Sequence, residues 1–111
     1  MDRLNEYRAI LSRIVHDYAS LQSPSSQIRS EVVIDRTADH FEVLDIGWDK
    51  HRRVHNSIVH LDIIDRKIWV QRDATNRPVV DELEAAGVPK EDIVLAFHSP
   101  ERRKLTGYAV G

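Results

Sequence analysis

The sequence predicts an α+β fold, in which an N-terminal helix packs on a mainly antiparallel sheet and one or two short helices lie near the C-terminus. The sheet is expected to be a four-strand meander plus a further short strand. Apolar residues near the N-terminus recur at alternating spacings of three and four, which is helical, whereas the segments that follow alternate with a period of two. Short polar turns separate these segments, so each strand should pair with the next.

One apolar stripe predicts the first helix, with Asp2 as its N-cap. The helix-breaking segment Ser23–Ser26 should end it by about Gln22. The stripe suits a helix lying on a sheet, and it also suits the seam between two paired helices of a dimer, so its spacing leaves both open. Its members are Leu4, Tyr7, Leu11, Ile14, Tyr18 and Leu21.

Four strands are predicted in the middle of the chain, and short polar segments join them. A glycine next to Trp48, Gly47, suggests a bulge or a close approach of two backbones. The predicted turns are Thr37–Asp39, Lys50–Arg53 and Asp65–Arg66. The predicted strands are Ile28–Arg36, His40–Asp49, Val54–Ile64 and Lys67–Asp73.

The C-terminal third alternates helix signals with one apolar run. Pro78 begins a helix to Ala86, and Gly87 supplies the left-handed residue after it. A helical turn over Pro89–Asp92 should precede a short buried strand, Ile93–Phe97, although the run is also compatible with helix. Ser99 and Pro100 should cap a last short helix over Arg102–Leu105.

Composition limits the functional classes. The chain of 111 residues fits one domain, residues 1–111, and its net charge of −2 gives no overall attraction to DNA. Because cysteine is absent, disulfides, thiolate metal sites and cysteine nucleophiles are excluded. The N-terminus does not resemble a secretory signal, and no apolar stretch approaches the ~18 residues of a membrane span. We expect a soluble, cytoplasmic protein.

Histidine and carboxylate positions do not predict a metal site. His51 and His55 should lie in a loop and at the start of a strand, about 13 Å apart and too far to share an ion. His60 and Asp62 should share a strand face but supply only two ligands. Histidines on the surface or in hydrogen bonds are the simpler interpretation, and no metal or other cofactor is expected.

A nuclease reading rests on a D-x-K pattern, Asp65 to Lys67, with Asp45 and Asp62 upstream. Carboxylates with a lysine can hold Mg²⁺ and activate water, but they must converge from adjacent strands. The pattern falls in a predicted hairpin turn, where such residues are common. A metal-dependent nuclease built on Asp45, Asp62 and Lys67 is therefore a minor alternative, and no catalytic residues are predicted.

Two basic clusters offer a second alternative, direct binding to DNA. The clusters are Lys50–Arg53 and Arg102–Lys104, in which Lys50, Arg52, Arg53 and Lys104 are the candidate phosphate contacts. Trp48 and Tyr108 lie near them and could stack on bases. Acidic residues are interspersed, however, and helix-turn-helix spacing and zinc-finger ligands are absent, so a solvated charged surface is the simpler interpretation.

Four blocks of the sequence follow one another in a recognisable order: LDIGW at Leu44–Trp48, IVHLDIIDRKIWVQRD at Ile58–Asp73, GVPKEDIVLAFHSP at Gly87–Pro100 and RRKLTGYAV at Arg102–Val110. Their order and their residues resemble the XisI family, small cyanobacterial proteins named as controlling factors for excision of a DNA element, the fdxN element, within a nitrogen-fixation gene. One departure is Asn76-Arg77-Pro78, where the family usually has an acidic stretch containing glycine.

The resemblance implies a non-enzymatic accessory protein that controls site-specific excision of a DNA element. Its expected partner is an XisH-like protein, whose own family resembles restriction-type nucleases. The candidate partner-binding residues are Trp69, Arg102, Arg103 and Tyr108, because interfaces favour aromatic residues and arginine at their centres. A homo-oligomer, most simply a dimer, is also expected, since the apolar stripe and the sheet edges need cover.

Overall fold

A five-stranded sheet with α1 and α2 on one face forms the centre of the molecule. The computed structural model describes residues 2–21 and 27–111. The strand order is β1-β2-β3-β4-β5, antiparallel except for β5, which runs parallel to β4. The predicted α+β class is confirmed. The elements are α1 Arg3–Ala19, β1 Ile28–Asp35, β2 His40–Asp49, β3 Arg52–Ile64, β4 Lys67–Asp73, α2 Val79–Ala85, a 3-10 turn Lys90–Asp92, β5 Ile93–Leu95 and α3 Pro100–Arg103.

The apolar stripe of α1 packs against the sheet of its own chain. Tyr7, Leu11, Ile14 and Tyr18 are buried in the core, and α1 packs on β1 and β2. The helix therefore lies on the sheet, and the alternative of a helix–helix dimer seam is wrong. Asp2 caps α1 by accepting a hydrogen bond from the Leu4 amide (3.2 Å). The helix ends at Ala19, and the predicted breaker Ser23–Ser26 lies outside the described residues.

Each strand has one face toward α1 and one away from it, because side chains alternate along a strand. The face toward α1 holds the core: Phe41 and Val43 of β2 lie beside Leu61 and Val59 of β3. The remaining strands contribute Ile63, Ile68, Val70, Ile93 and Leu95, and α2 contributes Val79 and Leu83. We call the opposite face, whose strand side chains point away from α1, the helix-free face.

The register between β2 and β3 shifts by one residue at Val43/Leu44. On one side of the shift Val43 pairs with Val59, and on the other Leu44 pairs with Ser57, so Ile58 is the extra residue of a β-bulge. At Gly47, where the sequence suggests a bulge or a close approach of two backbones, the structure has the close approach. A Cβ atom at Gly47 would lie 2.1 Å from the Gln27 carbonyl oxygen and 2.8 Å from Ile28 Cα.

Several boundaries differ from the predicted ones for local reasons. Arg52 and Arg53 were predicted in a loop over Lys50–Arg53 but belong to β3, since the turn is tight and Lys50 adopts a positive φ of 57°. The last helix begins at Pro100, before the predicted Arg102, because the Ser99 side chain caps the Arg102 amide and proline occupies the first turn. The last strand ends at Leu95, and Phe97 is exposed.

The three tyrosines link the helices to the rest of the chain through their hydroxyl groups. Tyr7 donates to the Asp92 carboxylate, Tyr18 to the Arg77 carbonyl oxygen, and Tyr108 to Glu84 of α2. Burial, together with the hydrogen bond to a carboxylate, raises the pKa of Tyr7 and of Tyr108 to about 12. No helix in the described ranges is both long and apolar enough to cross a membrane.

Replacing Gly47 by alanine should lower the free energy of unfolding by about 1–3 kcal/mol, because the added methyl group meets backbone rather than a movable side chain. Gly107→Ala is the matched control: Gly107 also has a positive φ, 82°, but nothing lies within 4 Å of its added Cβ. Urea unfolding of both variants would measure the difference. Equal losses would show that the close approach at Gly47 costs nothing.

The raised tyrosine pKa values predict a loss of stability in alkali. The folded chain keeps the protons of Tyr7 and Tyr108 to about pH 12, whereas the unfolded chain releases them near 10.0, so their contribution is complete below pH 10 and falls as the pH rises towards 12. Tyrosinate absorbance of the native chain should therefore develop at higher pH than in guanidinium. Tyr7→Phe should make the loss of stability less steep. Coincident titrations of native and unfolded chain would contradict this.

Candidate functional site

The helix-free face carries a cluster of four ionisable side chains near its middle. We call His40 and Glu42 of β2 with His60 and Asp62 of β3 the polar cluster. In the register of the sheet His40 lies directly opposite Asp62, and Glu42 opposite His60. Directly opposite side chains have Cβ atoms about 4.5–5.5 Å apart. Histidines and carboxylates therefore alternate both along each strand and across the strand pair.

Each histidine of the polar cluster contacts a carboxylate. His40 Nδ1 lies 3.1 Å from Asp62 Oδ1, and His40 Nε2 lies 3.0 Å from Glu42 Oε1. His60 Nε2 lies 3.0 Å from Asp62 Oδ2, yet it is buried and has no hydrogen bond of acceptable geometry within the described residues. The two imidazole rings are close, with centroids 4.4 Å apart. The cluster is thus a compact set of nitrogen and oxygen donors.

Neighbouring polar groups hold the two carboxylates. Gln71 Nε2 donates to Asp62 Oδ2 (3.2 Å). Burial alone would raise the pKa of Glu42, but hydrogen bonding to Ser57 and His40 and the charges of both histidines outweigh it and lower that pKa. The Ser57 hydroxyl lies near enough for this effect although it has no well-directed hydrogen bond among the described residues. Glu42 is therefore held in its charged form.

The polar cluster could not be recognised from His60 and Asp62 alone, because its other two members lie on the neighbouring strand β2. The bulge at Ile58 determines which side chains meet, because it shifts the register so that His60 and Asp62 lie on the same face of the sheet as His40. One signal was present in the sequence. The buried valines of β3, Val54 and Val59, are five residues apart, an odd spacing that a regular strand cannot place on one face. His51 and His55 lie outside the cluster, in the turn and opposite Ile46.

The residues of the nuclease alternative do not meet. Asp45 pairs with Asn56, six residues from Asp62 along β3 or roughly 20 Å, and it accepts a hydrogen bond from Ser30 on the α1 face (2.8 Å). Lys67 starts β4 after the hairpin turn, and its amine donates to the Gly111 carbonyl oxygen (2.5 Å). No pair of carboxylates converges on this lysine within the described residues, so the D-x-K pattern is a turn feature here.

The two basic clusters also remain apart. Lys50 and Arg52 lie at the β2–β3 turn, and Arg52 contacts Asp49 (3.4 Å). Arg53 lies over the Trp48 ring, with its guanidinium carbon 5.4 Å from the ring centroid. Lys104, just after α3, contacts Glu101 (3.6 Å). Acidic neighbours thus offset a cation in each cluster, and the clusters do not form one continuous basic patch.

The candidate partner-binding residues divide into two groups. Arg103 lies over the Trp69 ring at 5.4 Å and donates to the Ala96 and His98 carbonyl oxygens (3.1 and 2.9 Å). Tyr108 instead packs against the core and α2. Arg102 is exposed. Trp69 and Arg103 therefore form one pair, at the β4–β5 side of the helix-free face, while Tyr108 has a structural hydrogen bond elsewhere.

Comparison with known proteins places the chain in a family. The family model described as XisI protein matches residues 1–110. The chain belongs to the XisI family. This XisI-family chain is 32% identical to an XisI-like protein from Anabaena variabilis ATCC 29413, with a TM-score of 0.91 and 97% of this chain and 99% of that chain covered.

A second XisI structure from the same organism shows comparable agreement. The fdxN element excision controlling factor XisI of Anabaena variabilis ATCC 29413 is 38% identical, with a TM-score of 0.86. The alignment covers 99% of this chain and all of that one. No curated protein matches. The resemblance inferred from the sequence blocks is thus confirmed.

The segment KIWVQRD, which belongs to the Ile58–Asp73 block that resembles the XisI family, contributes side chains to both faces of the sheet. In KIWVQRD, Trp69 lies opposite Asp62, and Gln71 donates to the same Asp62 side chain. Asp73 accepts hydrogen bonds from the Thr75 and Val79 amides (3.0 and 2.7 Å), so it caps the loop and the start of α2. The block therefore positions the polar cluster and the second helix together.

Proposed function

We propose that this XisI-family chain is a non-enzymatic accessory factor that controls excision of a DNA element by binding a protein partner. An XisH-like nuclease is the expected partner. The excision role rests on the family and on a solved relative that is named an fdxN element excision controlling factor. The partner role rests on the helix-free face of the sheet, which carries apolar side chains without a covering layer in the described part of the chain.

Apolar exposure is the observation that supports docking at this face. Val33 of β1 and Trp48 of β2 expose 37% and 49% of their surface, and Leu44 and Ile46 are half-buried between them. Ile64 of β3, 39% exposed, lies on the other side of the polar cluster. The helices α1 and α2 contribute to the core on the opposite face. Contiguous exposed apolar groups with a polar rim are typical of protein interaction sites.

The Trp69–Arg103 pair borders this face and suits the same role. Tryptophan and arginine are the residues most enriched at the energetic centres of interfaces. The pair is already ordered, since Arg103 donates to two backbone carbonyl oxygens and lies over the Trp69 ring. A preformed pair loses less side-chain entropy on binding. Arg102, exposed beside it, has no side-chain partner among the described residues and can pair with an acidic group of the partner.

A lysine at Leu44 should weaken binding to the XisH-like protein by at least about tenfold, because it places a charge within the apolar part of the docking face. Glu31 lies opposite Leu44 in the sheet, so the new ammonium gains an acidic neighbour and the fold should tolerate it. Leu21→Lys is the matched control, since Leu21 is 62% exposed and follows α1, which packs on the opposite face of the sheet. Titration calorimetry with the purified partner measures both affinities.

The control also decides the location of the docking site. If Leu44→Lys binds as tightly as the unaltered chain while Leu21→Lys does not, the helix-free face is not the interface. If the unaltered chain and the XisH-like protein form no complex at micromolar concentrations, partner binding itself is wrong. Far-UV circular dichroism of each variant excludes a trivial loss of fold.

We also propose a homodimer formed by two β1 edges. The opposite edge of the sheet is closed, because Ala109 bridges to Val94 and its amide donates to the Ile93 carbonyl oxygen (2.9 Å). Strand β1 pairs with β2 on one side and ends the sheet on the other. Two β1 strands placed antiparallel about Val32 would set Arg29 opposite Asp35 of the second copy, twice in the dimer, which is complementary charge pairing.

Charge reversal tests this dimer. Arg29→Asp alone and Asp35→Arg alone should each be monomeric, because each places like charges opposite each other in its own homodimer. An equimolar mixture of the two variants should form a dimer, since every such pair is then of opposite charge. Sedimentation equilibrium gives the masses. A monomeric unaltered chain, or a mixture that stays monomeric, would contradict the β1–β1 arrangement.

A further inference from the structure

The polar cluster has the donor set and spacing of a metal site. One donor atom each from His40, His60 and Asp62 lies within 4.8 Å of the others. Ligands of a tetrahedral zinc ion, each at about 2.0–2.1 Å from the metal, lie roughly 3.4 Å from one another. His40 Nδ1 lies 3.1 Å from Asp62 Oδ1, and His60 Nε2 lies 3.0 Å from Asp62 Oδ2. Each nitrogen is thus already close to that separation from one oxygen of the carboxylate.

Two contacts in the cluster favour a cation between the side chains. If His40 donates from Nε2 to Glu42, its Nδ1 lone pair faces an Asp62 oxygen at 3.1 Å, which brings two acceptors together. The buried His60 Nε2 also faces Asp62, without a well-directed hydrogen bond among the described residues. A cation bound to both nitrogens and the carboxylate would satisfy all three groups.

We propose that His40, His60 and Asp62 bind a divalent transition-metal ion, of which zinc fits the donor set. Imidazole nitrogens with one carboxylate suit zinc and its neighbours in the first transition row, whereas Mg²⁺ and Ca²⁺ require oxygen ligands. The three side chains are 27%, 29% and 18% exposed, so the ion can enter from solvent. The exposed side leaves a fourth position for water or for a group of another molecule.

Glu42 and Gln71 complete the site from outside the ligand set. Metal-binding histidines commonly donate their second ring nitrogen to a carboxylate, which fixes the tautomer and orients the ring. The contact of His40 Nε2 with Glu42 Oε1 at 3.0 Å has this geometry. Gln71 orients Asp62 in the same way through its amide. Ligands and supporting residues therefore come from three adjacent strands, β2, β3 and β4.

Titration calorimetry of the tag-free, chelator-treated chain with zinc should show binding of one ion per chain. His60→Gln and Asp62→Asn, which retain side-chain volume, should each weaken zinc binding by at least about 100-fold, and Glu42→Gln by about tenfold or more. His55→Gln is the matched control and should leave the affinity unchanged, because His55 lies exposed on the same strand opposite Ile46. Mg²⁺ should not compete.

A second readout separates a built site from surface histidine binding. Cobalt in the site should give the visible absorption of a four-coordinate ion, and His60→Gln should abolish it. Absence of zinc binding, or an equal loss of affinity in His55→Gln and His60→Gln, would overturn the proposal. In that case the four side chains form only a hydrogen-bonded network. Zinc binding and partner binding are measured in separate titrations, so either can fail alone.

Discussion

The structure depends on the register shift at Val43/Leu44, because the shift lets β3 place apolar side chains on the α1 side both before and after it. Strand β3 buries valine against the α1 side at two places, Val54 near its start and Val59 near its middle. Their odd separation makes this impossible for a regular strand, because successive side chains point to opposite faces. The bulge at Ile58 removes the conflict, and Ile58 itself packs against the core. Without the bulge, a strand with Val54 on the α1 side would turn Val59 away from α1 and would turn His60 and Asp62 toward it.

A second constraint is the closure of one sheet edge by the C-terminal tail. Strand β5 is only three residues long, but its residues are buried, and Ala109 bridges to Val94 beside it. The amine of Lys67 donates to the terminal carbonyl oxygen of Gly111. The tail thus holds the β4–β5 side in place, including the Trp69–Arg103 pair. Among the described residues, the opposite edge at β1 and the helix-free face have no such covering segment.

Much of the fold could be predicted from the sequence because its signals are local. The bounds of His40–Asp49 and Lys67–Asp73 were predicted correctly, since alternation and turn residues mark them. Positive φ values at Asp65 and Arg66, 51° and 68°, fit the tight hairpin expected there. The polar cluster could not be predicted in the same way. The cluster forms between β2 and β3. The β2–β3 turn alone would set a register between these strands one residue away from the observed one.

The chemistry of the polar cluster bears on how the helix-free face can be covered. A partner that packs on this face removes water from Glu42 and Asp62, and an uncompensated buried charge is costly. Two neutral histidines leave both negative charges in place. A divalent ion bound as proposed would cancel them and make the net charge of the four side chains zero. If a partner docks on this face as proposed, neutralising the cluster would favour tight docking, and a bound metal ion would then strengthen partner binding without touching the partner.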